Sequence, residues 1–219
     1  MKDIKKIDIE SKSYPKLLKK IVNPPKVIYV RGEIYPEENC FAVVGSRRCS
    51  FYGKQITIEI SEELSSSGLT IVSGLAQGID AAAHQAATKN KKRTIGVLGT
   101  GLDDYSFYPK ENLGLANEII ENNGCLISEY PPGTRGSKFS FPQRNRIISG
   151  LSLGILVVEA KEKSGSLIAA EWAKKQERKI FSVPGNIYFS NSRGTNFLLK
   201  NGAILTESAK DILRELKIT

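Results

Sequence analysis

The sequence predicts a doubly wound α/β fold, a mainly parallel sheet with helices on both faces. Three observations carry this. Short runs of Val, Ile and Leu recur from about residue 40 to the end of the chain. They show little polar alternation, as strands buried on both faces do. Longer stretches with helical spacing separate them, joined by short Gly- and Asn-bearing turns.

The predicted strands are 40–45 (CFAVVG), 70–74 (TIVSG), 94–99 (TIGVLG), 124–130 (GCLISEY), 154–160 (GILVVEA), 179–184 (KIFSVP) and 203–207 (AILTE). Between them, 53–67 carries Ile56, Ile60 and Leu64 at helical spacing and stops at Gly68, a residue suited to a left-handed cap. Further helices are expected over 80–90, 112–122, 143–151, 166–177, 196–201 and 208–216. Residues 1–38 read differently. A short helix over 14–21 is broken by Asn23-Pro24-Pro25, and VIYVRG is expected as an edge strand. This segment is too short for a core of its own. The expected organisation is therefore 1–38 packed on a main domain formed by 39–219.

Composition narrows the function classes. The chain has 219 residues, of which 40% are hydrophobic and 25% charged, as in ordinary globular domains. Its net charge of +9 suits either a polyanionic partner or a lysine-rich solvated surface. No apolar run is long enough for a membrane span, and the charged N-terminus has no signal-peptide core. Cys40, Cys49 and Cys125 form no C-x-x-C pair. They read as reduced thiols of a cytoplasmic protein. With His84 as the single histidine, a multi-histidine metal centre is excluded. No metal, cofactor or catalytic residue is expected.

Ligands of open α/β sheets bind beyond the carboxyl ends of the strands, so the loops that follow the strands are the candidates. In Gly45-Ser46-Arg47-Arg48 the glycine permits a tight turn, Ser46 and the backbone amides offer donors, and the arginines offer a phosphate fork. An arginine paired to a carboxylate is the competing reading. Ser73-Gly74 opens a second glycine-bearing turn, where Asp80 is expected to cap the following helix and His84 to be packed. Gly99-Thr100-Gly101 lacks the third glycine of a dinucleotide fingerprint, and no P-loop occurs.

The stretch 135–146 (RGSKFSFPQRNR) interleaves four cations with two phenylalanines. Single-strand binding uses cations for phosphates and exposed rings for unpaired bases. Phe139 is expected to anchor the loop on the core. Phe141 is open between anchoring and stacking. Arg144 and Arg146 suit either DNA or carbonyl groups at strand ends. Ser164-Gly165-Ser166 offers amides at a helix start, and Glu159 and Glu129 are expected to accept from an arginine such as Arg144 or Arg146.

These pieces together resemble the DNA-processing protein A family (DprA, also called Smf). The resemblance runs from NPPKVIYVRG, VVGSRRCSFYG and IVSGLAQGIDAAAH through GVLGTGLDDYSFYPKEN, LISEYPPGT and FPQRNRIISGLS. It continues through VVEAKEKSGSLIAAEWA and VPGNI to GTNFLLKNGA, nearly the whole chain. It implies an extended Rossmann-like domain that binds single-stranded DNA with little sequence preference. It further implies protection of that strand during natural transformation, loading of a RecA-type recombinase, and a homodimer. Carried over by motif, the phosphate ligand is Arg47 or Arg48, and Lys138 and Phe141 supply basic and aromatic contacts. Gly45, Ser46, Ser73, Gly74, Ser164, Gly165 and Ser166 line the pocket, with Arg144 beside them. Many members carry a further C-terminal winged-helix-like domain, and this sequence ends where the Rossmann-like part usually stops.

Two other readings compete. A nucleotide phosphoribohydrolase would use a P-G-G-x-G-T-x-x-E turn; the comparable KSGSLIAAE places Glu171 two positions late and has one glycine. A scaffold whose basic face meets an acidic protein is the third.

Overall fold

The computed structural model describes residues 3–218. Its strands are β1 (Ile4–Asp8), β2 (Val27–Gly32), β3 (Cys40–Val44), β4 (Thr70–Ser73), β5 (Thr94–Leu98), β6 (Cys125–Ser128), β7 (Gly154–Val157), β8 (Lys179–Ser182) and β9 (Ile204–Leu205). They form one sheet in the order β1-β2-β6-β5-β4-β3-β7-β8-β9. β2 pairs antiparallel with both its neighbours, and every other pairing is parallel.

The helices are α1 (Lys16–Lys19), α2 (Phe51–Ser66), α3 (Ile79–Lys89), α4 (Leu113–Glu121), α5 (Ser140–Leu151), α6 (Gly165–Lys175), α7 (Arg193–Lys200) and α8 (Ala209–Leu216). Alternate side chains of the strands build the two layers. In β3, Ala42 and Val44 join Ile147 and Ile148 of α5 and Ala169 and Ala173 of α6 in one cluster. Phe41 and Val43 point the other way, toward Ile60 and Leu64 of α2, Ala83 of α3 and Ile212 of α8. The sheet is thus covered on both sides, as the buried strands required.

From β3 the chain winds through β4 and β5 to β6, then crosses back through α5 to β7 and winds the other way. The reversal lies between β3 and β7, which are paired with Val44 opposite Val157. Both strands therefore end level, and the loops leaving them diverge. This is the topological switch point at which open α/β sheets form a ligand crevice.

The N-terminal segment departs from expectation. VIYVRG is not an edge strand: β2 sits inside the sheet, and β1 covers it at the edge. β1 is hidden in the sequence because only Ile7 of its five residues is buried. A charged outer strand is a common way to blunt a sheet edge. α1 is a single turn, shorter than the expected 14–21, and its Leu18 is fully buried beside α5.

α5 begins three residues before the expected start. Ser137 and Ser140 bond reciprocally: Ser137 N–H donates to Ser140 Oγ at 2.8 Å, and Ser140 N–H to Ser137 Oγ at 3.0 Å. Phe141 and Pro142 consequently lie in the first turn, where proline is tolerated because its missing N–H has no helical partner. This start aims Phe141 toward the switch point.

Candidate nucleic-acid interface

A cleft of about 480 Å³ opens at the switch point. The turn after β3 supplies Gly45, Ser46, Arg47 and Arg48, and the turn after β7 supplies Lys161, Ser164, Gly165 and Ser166. Phe141, Pro142, Arg144 and Asn145 of α5 form the wall between them, with Asp80 at the base. The lining thus carries the cations Arg47, Arg48, Arg144 and Lys161 against one carboxylate. Such an imbalance in a concave site favours an anion.

The two turns are held from below. Ile79 N–H donates to Ser46 carbonyl at 3.2 Å, joining the start of α3 to the arginine turn. Ser46 Oγ accepts from Arg48 N–H at 3.2 Å, and Gly45 packs on Ile79. Arg47 and Arg48 are exposed and make no ion pair among the described residues. The competing reading, an arginine committed to a carboxylate, is not what the structure shows. The Arg47 guanidinium lies 6.0 Å from the Phe141 ring centre.

Phe141 is half-buried, so one side is anchored and the other is open. A Cβ on Gly99 would come within 2.9 Å of its ring, so only glycine there leaves room. Tyr108 stands 5.7 Å from the same ring at 54°. With Gln77, Gly99 and Pro109 these rings border a small slot of about 60 Å³, continuous with the main cleft through Arg47, Phe141 and Arg144.

α6 points its N-terminus at the cleft. First-turn amides of a helix have no partner within it, and the helix dipole favours negative charge there. Ser164 leads into α6 without a side-chain cap bond, and its Oγ has no hydrogen-bond partner among the described atoms. Asn145 Nδ2 donates to Gly165 carbonyl at 3.1 Å, fixing this terminus to α5.

Beneath the cleft lie a buried guanidinium, Arg144, and a buried carboxyl, Asp80. Arg144 donates from Nη1 to Gly74 carbonyl at 2.6 Å and also to Val97 carbonyl. A Cβ on Gly74 would meet the guanidinium at 2.5 Å, so this contact requires glycine. Burial lowers Arg144 to about 10, against the opposing pull of Asp80, and the nearby charge of Arg47 lowers it further. Burial raises the Asp80 carboxyl, while Arg144 and the N–H groups of Ala76, Gly45 and Gly74 act the other way. Asp80 accepts from Gly74 N–H at 3.1 Å, holding that turn instead of capping α3, which starts after Gly78.

The other expected residues fall as follows. Ser73 does not line the pocket: it is fully buried and donates its hydroxyl to Val43 carbonyl at 2.6 Å. Gly74 borders only the small slot. Lys138 is exposed but outside the cleft, in a neighbouring groove that shares Pro142 with it. Phe139 does not anchor the loop; it is 70% exposed in that groove. Glu129 accepts from Arg146 at 2.6 Å as expected. Glu159 does not pair with an arginine. It accepts from Ser50 N–H at 2.9 Å, from the Ser50 hydroxyl, and from Asn191 Nδ2 at 3.0 Å.

Sequence reasoning missed Lys161, Asn145 and Tyr108. Lys161 was findable as the first cation after the strand beside the switch point. Tyr108 was not, because it reaches the slot from a loop remote in sequence.

The family profile described as DNA recombination-mediator protein A matches residues 5–217. The chain is 45% identical over 215 residues to DNA processing protein DprA of Bacillus subtilis (strain 168), covering 97% of this chain and 71% of that protein. It is 42% identical over 212 residues to Protein Smf of Escherichia coli (strain K12), covering 96% of this chain and 56% of that one. This chain therefore spans little more than half of that relative. A structure of DNA processing protein A from Helicobacter pylori, described as giving insight into its single-stranded DNA binding mode, superposes with a TM-score of 0.87 at 32% identity. That match covers 99% of this chain and 96% of the other.

Proposed function

The chain belongs to the DNA recombination-mediator protein A family, and on that premise we propose that it binds single-stranded DNA without marked sequence preference at the β3–β7 cleft. The observation that carries this is the convergence of unpaired arginines, a half-exposed ring and a free helix N-terminus at one crevice. Arg47, Arg48 and Lys161, with the amides of Gly165 and Ser166, hold phosphates of one strand. Phe141 and Tyr108 receive an unpaired base, a sequence-tolerant contact because every base has a π-face. Gly45 and Ser46 shape the turn, Ser164 with its buried hydroxyl, unpartnered among the described atoms, leads the α6 amides to the cleft, and Lys138 meets the strand at the cleft's rim. Ser73, Gly74 and Arg144 act from beneath, holding the loops.

The fuller role we propose is a cytoplasmic mediator that works as a homodimer, protects single strands during natural transformation and promotes loading of a RecA-type recombinase. The organisation we propose for it is a short N-terminal segment, 1–38, that packs on an extended Rossmann-like domain, 39–219, with β1 and β2 joining its sheet beside β6. Turnover of a nucleoside monophosphate is disfavoured: Glu171 is exposed and lines the neighbouring groove, not the cleft. Glu159 is already engaged by Ser50 and Asn191.

The test is a salt titration with single- and double-stranded oligonucleotides of equal length. Preferential binding of oligo-dT that weakens steeply with salt supports the proposal. Equal affinity for both forms, or no salt dependence, overturns it.

A further inference from the structure

The groove beside the cleft carries a second set of cation–aromatic pairs, and of its charged and aromatic residues only Lys138, at the shared rim, has a part in the site just described. It has a volume of about 320 Å³ and is formed where the start of α5 meets the outer face of α6. Phe139 is 70% exposed there, with Lys138 Nζ 5.2 Å from its ring centre. On α6, Lys175 Nζ lies 5.0 Å from the ring centre of Trp172, which is half-buried. Glu171 also lines the groove, leaving two cations against one carboxylate. Neither lysine makes an ion pair among the described residues.

Two features connect this groove to the cleft. Pro142 lines both, so the groove begins where the cleft's Phe141 wall ends. Phe139 and Phe141 flank Ser140 at the start of α5, which places one ring in each depression. A ligand leaving the cleft over Pro142 meets a ring and a lysine again at once.

We propose that this groove is an extension subsite for the same single strand, in which a base stacks on Trp172 with Phe139 beside it and a phosphate is met by Lys175. The inference rests on the cleft being a single-strand site. Continuity through Pro142 and the surplus of cations identify the occupant as a polyanion with exposed bases. An acidic peptide would satisfy the lysines but would not use two open rings.

Trp172 is the chain's only tryptophan, so its emission reports on this groove alone. The experiment titrates the full chain with oligo-dT of about 4 and about 16 nucleotides, the range one binding module covers. The longer strand is expected to quench Trp172 fluorescence and the shorter to leave it unchanged while still binding. Phe139→Ala and Lys175→Ala are each expected to weaken the longer strand about fivefold or more and to leave the shorter one unaffected. Unchanged emission with the longer strand bound, or wild-type affinity of both variants for it, overturns the subsite and leaves the cleft reading intact. Failure of the wild-type chain to bind either strand overturns both.

Discussion

Arg47 and Phe141 meet across the cleft, guanidinium carbon to ring centre 6.0 Å, although 94 positions separate them in the chain. One comes from the turn after β3 and the other from the first turn of α5. The pair brings the proposed phosphate ligand and the proposed base-stacking face to one side of the cleft. Arg47→Ala is expected to weaken oligo-dT binding about tenfold and to reduce the slope of log affinity against log salt by about 0.7, the value of one single-strand phosphate. Because Arg47 is exposed and makes no ion pair, its thermal unfolding midpoint should stay at the wild-type value. Fluorescence anisotropy across a salt series checks the first two effects and calorimetry the third.

Phe141→Ala is expected to cost roughly 1–3 kcal/mol of oligo-dT affinity, and Phe141→Tyr to restore most of it. A ring that merely held the loop would show the reverse pattern, a lower unfolding midpoint with normal binding. Measuring both quantities on both variants separates the two.

Gly165→Asp isolates the helix terminus. A Cβ at Gly165 meets nothing within 4 Å, so the side chain is sterically free. A carboxylate in the first turn of α6 favours the helix dipole but repels a phosphate from the same amides. The expected outcome is unchanged or slightly higher stability with oligo-dT affinity reduced at least about tenfold. Unaltered affinity would remove α6 from the interface.

Arg144→Ala should act on stability first. It would leave the carbonyls of Gly74 and Val97 without their donor and Asp80 buried without its countercharge. A buried acceptor left without its donor costs about 1–3 kcal/mol. Urea denaturation should show that loss, and a variant as stable as wild type would contradict the role beneath the cleft.

His84 makes the fold sensitive to acid. It is fully buried, with Nδ1 2.7 Å from Thr94 Oγ1. The Thr94 hydroxyl donates its own proton to Ile71 carbonyl at 2.7 Å, so Nδ1 carries the shared hydrogen. Burial pushes the imidazole down from 6.5 to about 3. Between those values the unfolded chain takes up a proton that the folded chain refuses, so stability falls as pH drops through that window. His84→Gln should flatten this fall by on the order of a few kcal/mol. Equal slopes of urea stability against pH for both proteins would contradict it.

The strands were legible because both-face burial writes itself as continuous Val and Ile, as in CFAVV and GILV. The cleft's turns were legible because they follow the strands at the switch point. β1 was not, because IKKID exposes most of its side chains and resembles a charged tail. The divided fates of neighbouring residues were also invisible. Ser73 ends β4 and Ser46 lies just beyond β3, yet one hydroxyl faces inward to Val43 carbonyl and the other stays at the cleft. Glu159 found Ser50 and Asn191 because α2 and the 184–192 loop converge on it, and no local pattern encodes that meeting. Phe139 and Phe141 differ because α5 starts at Ser140, three residues earlier than the cation-rich stretch suggested.

The location of the strand is tested most directly by photo-crosslinking a 5-iodouracil oligonucleotide to the wild-type chain and identifying the modified residues by mass spectrometry. The account predicts adducts at Phe141 and Tyr108. Adducts confined to remote exposed rings such as Tyr35 or Phe197, with Phe141 unmodified, would contradict it.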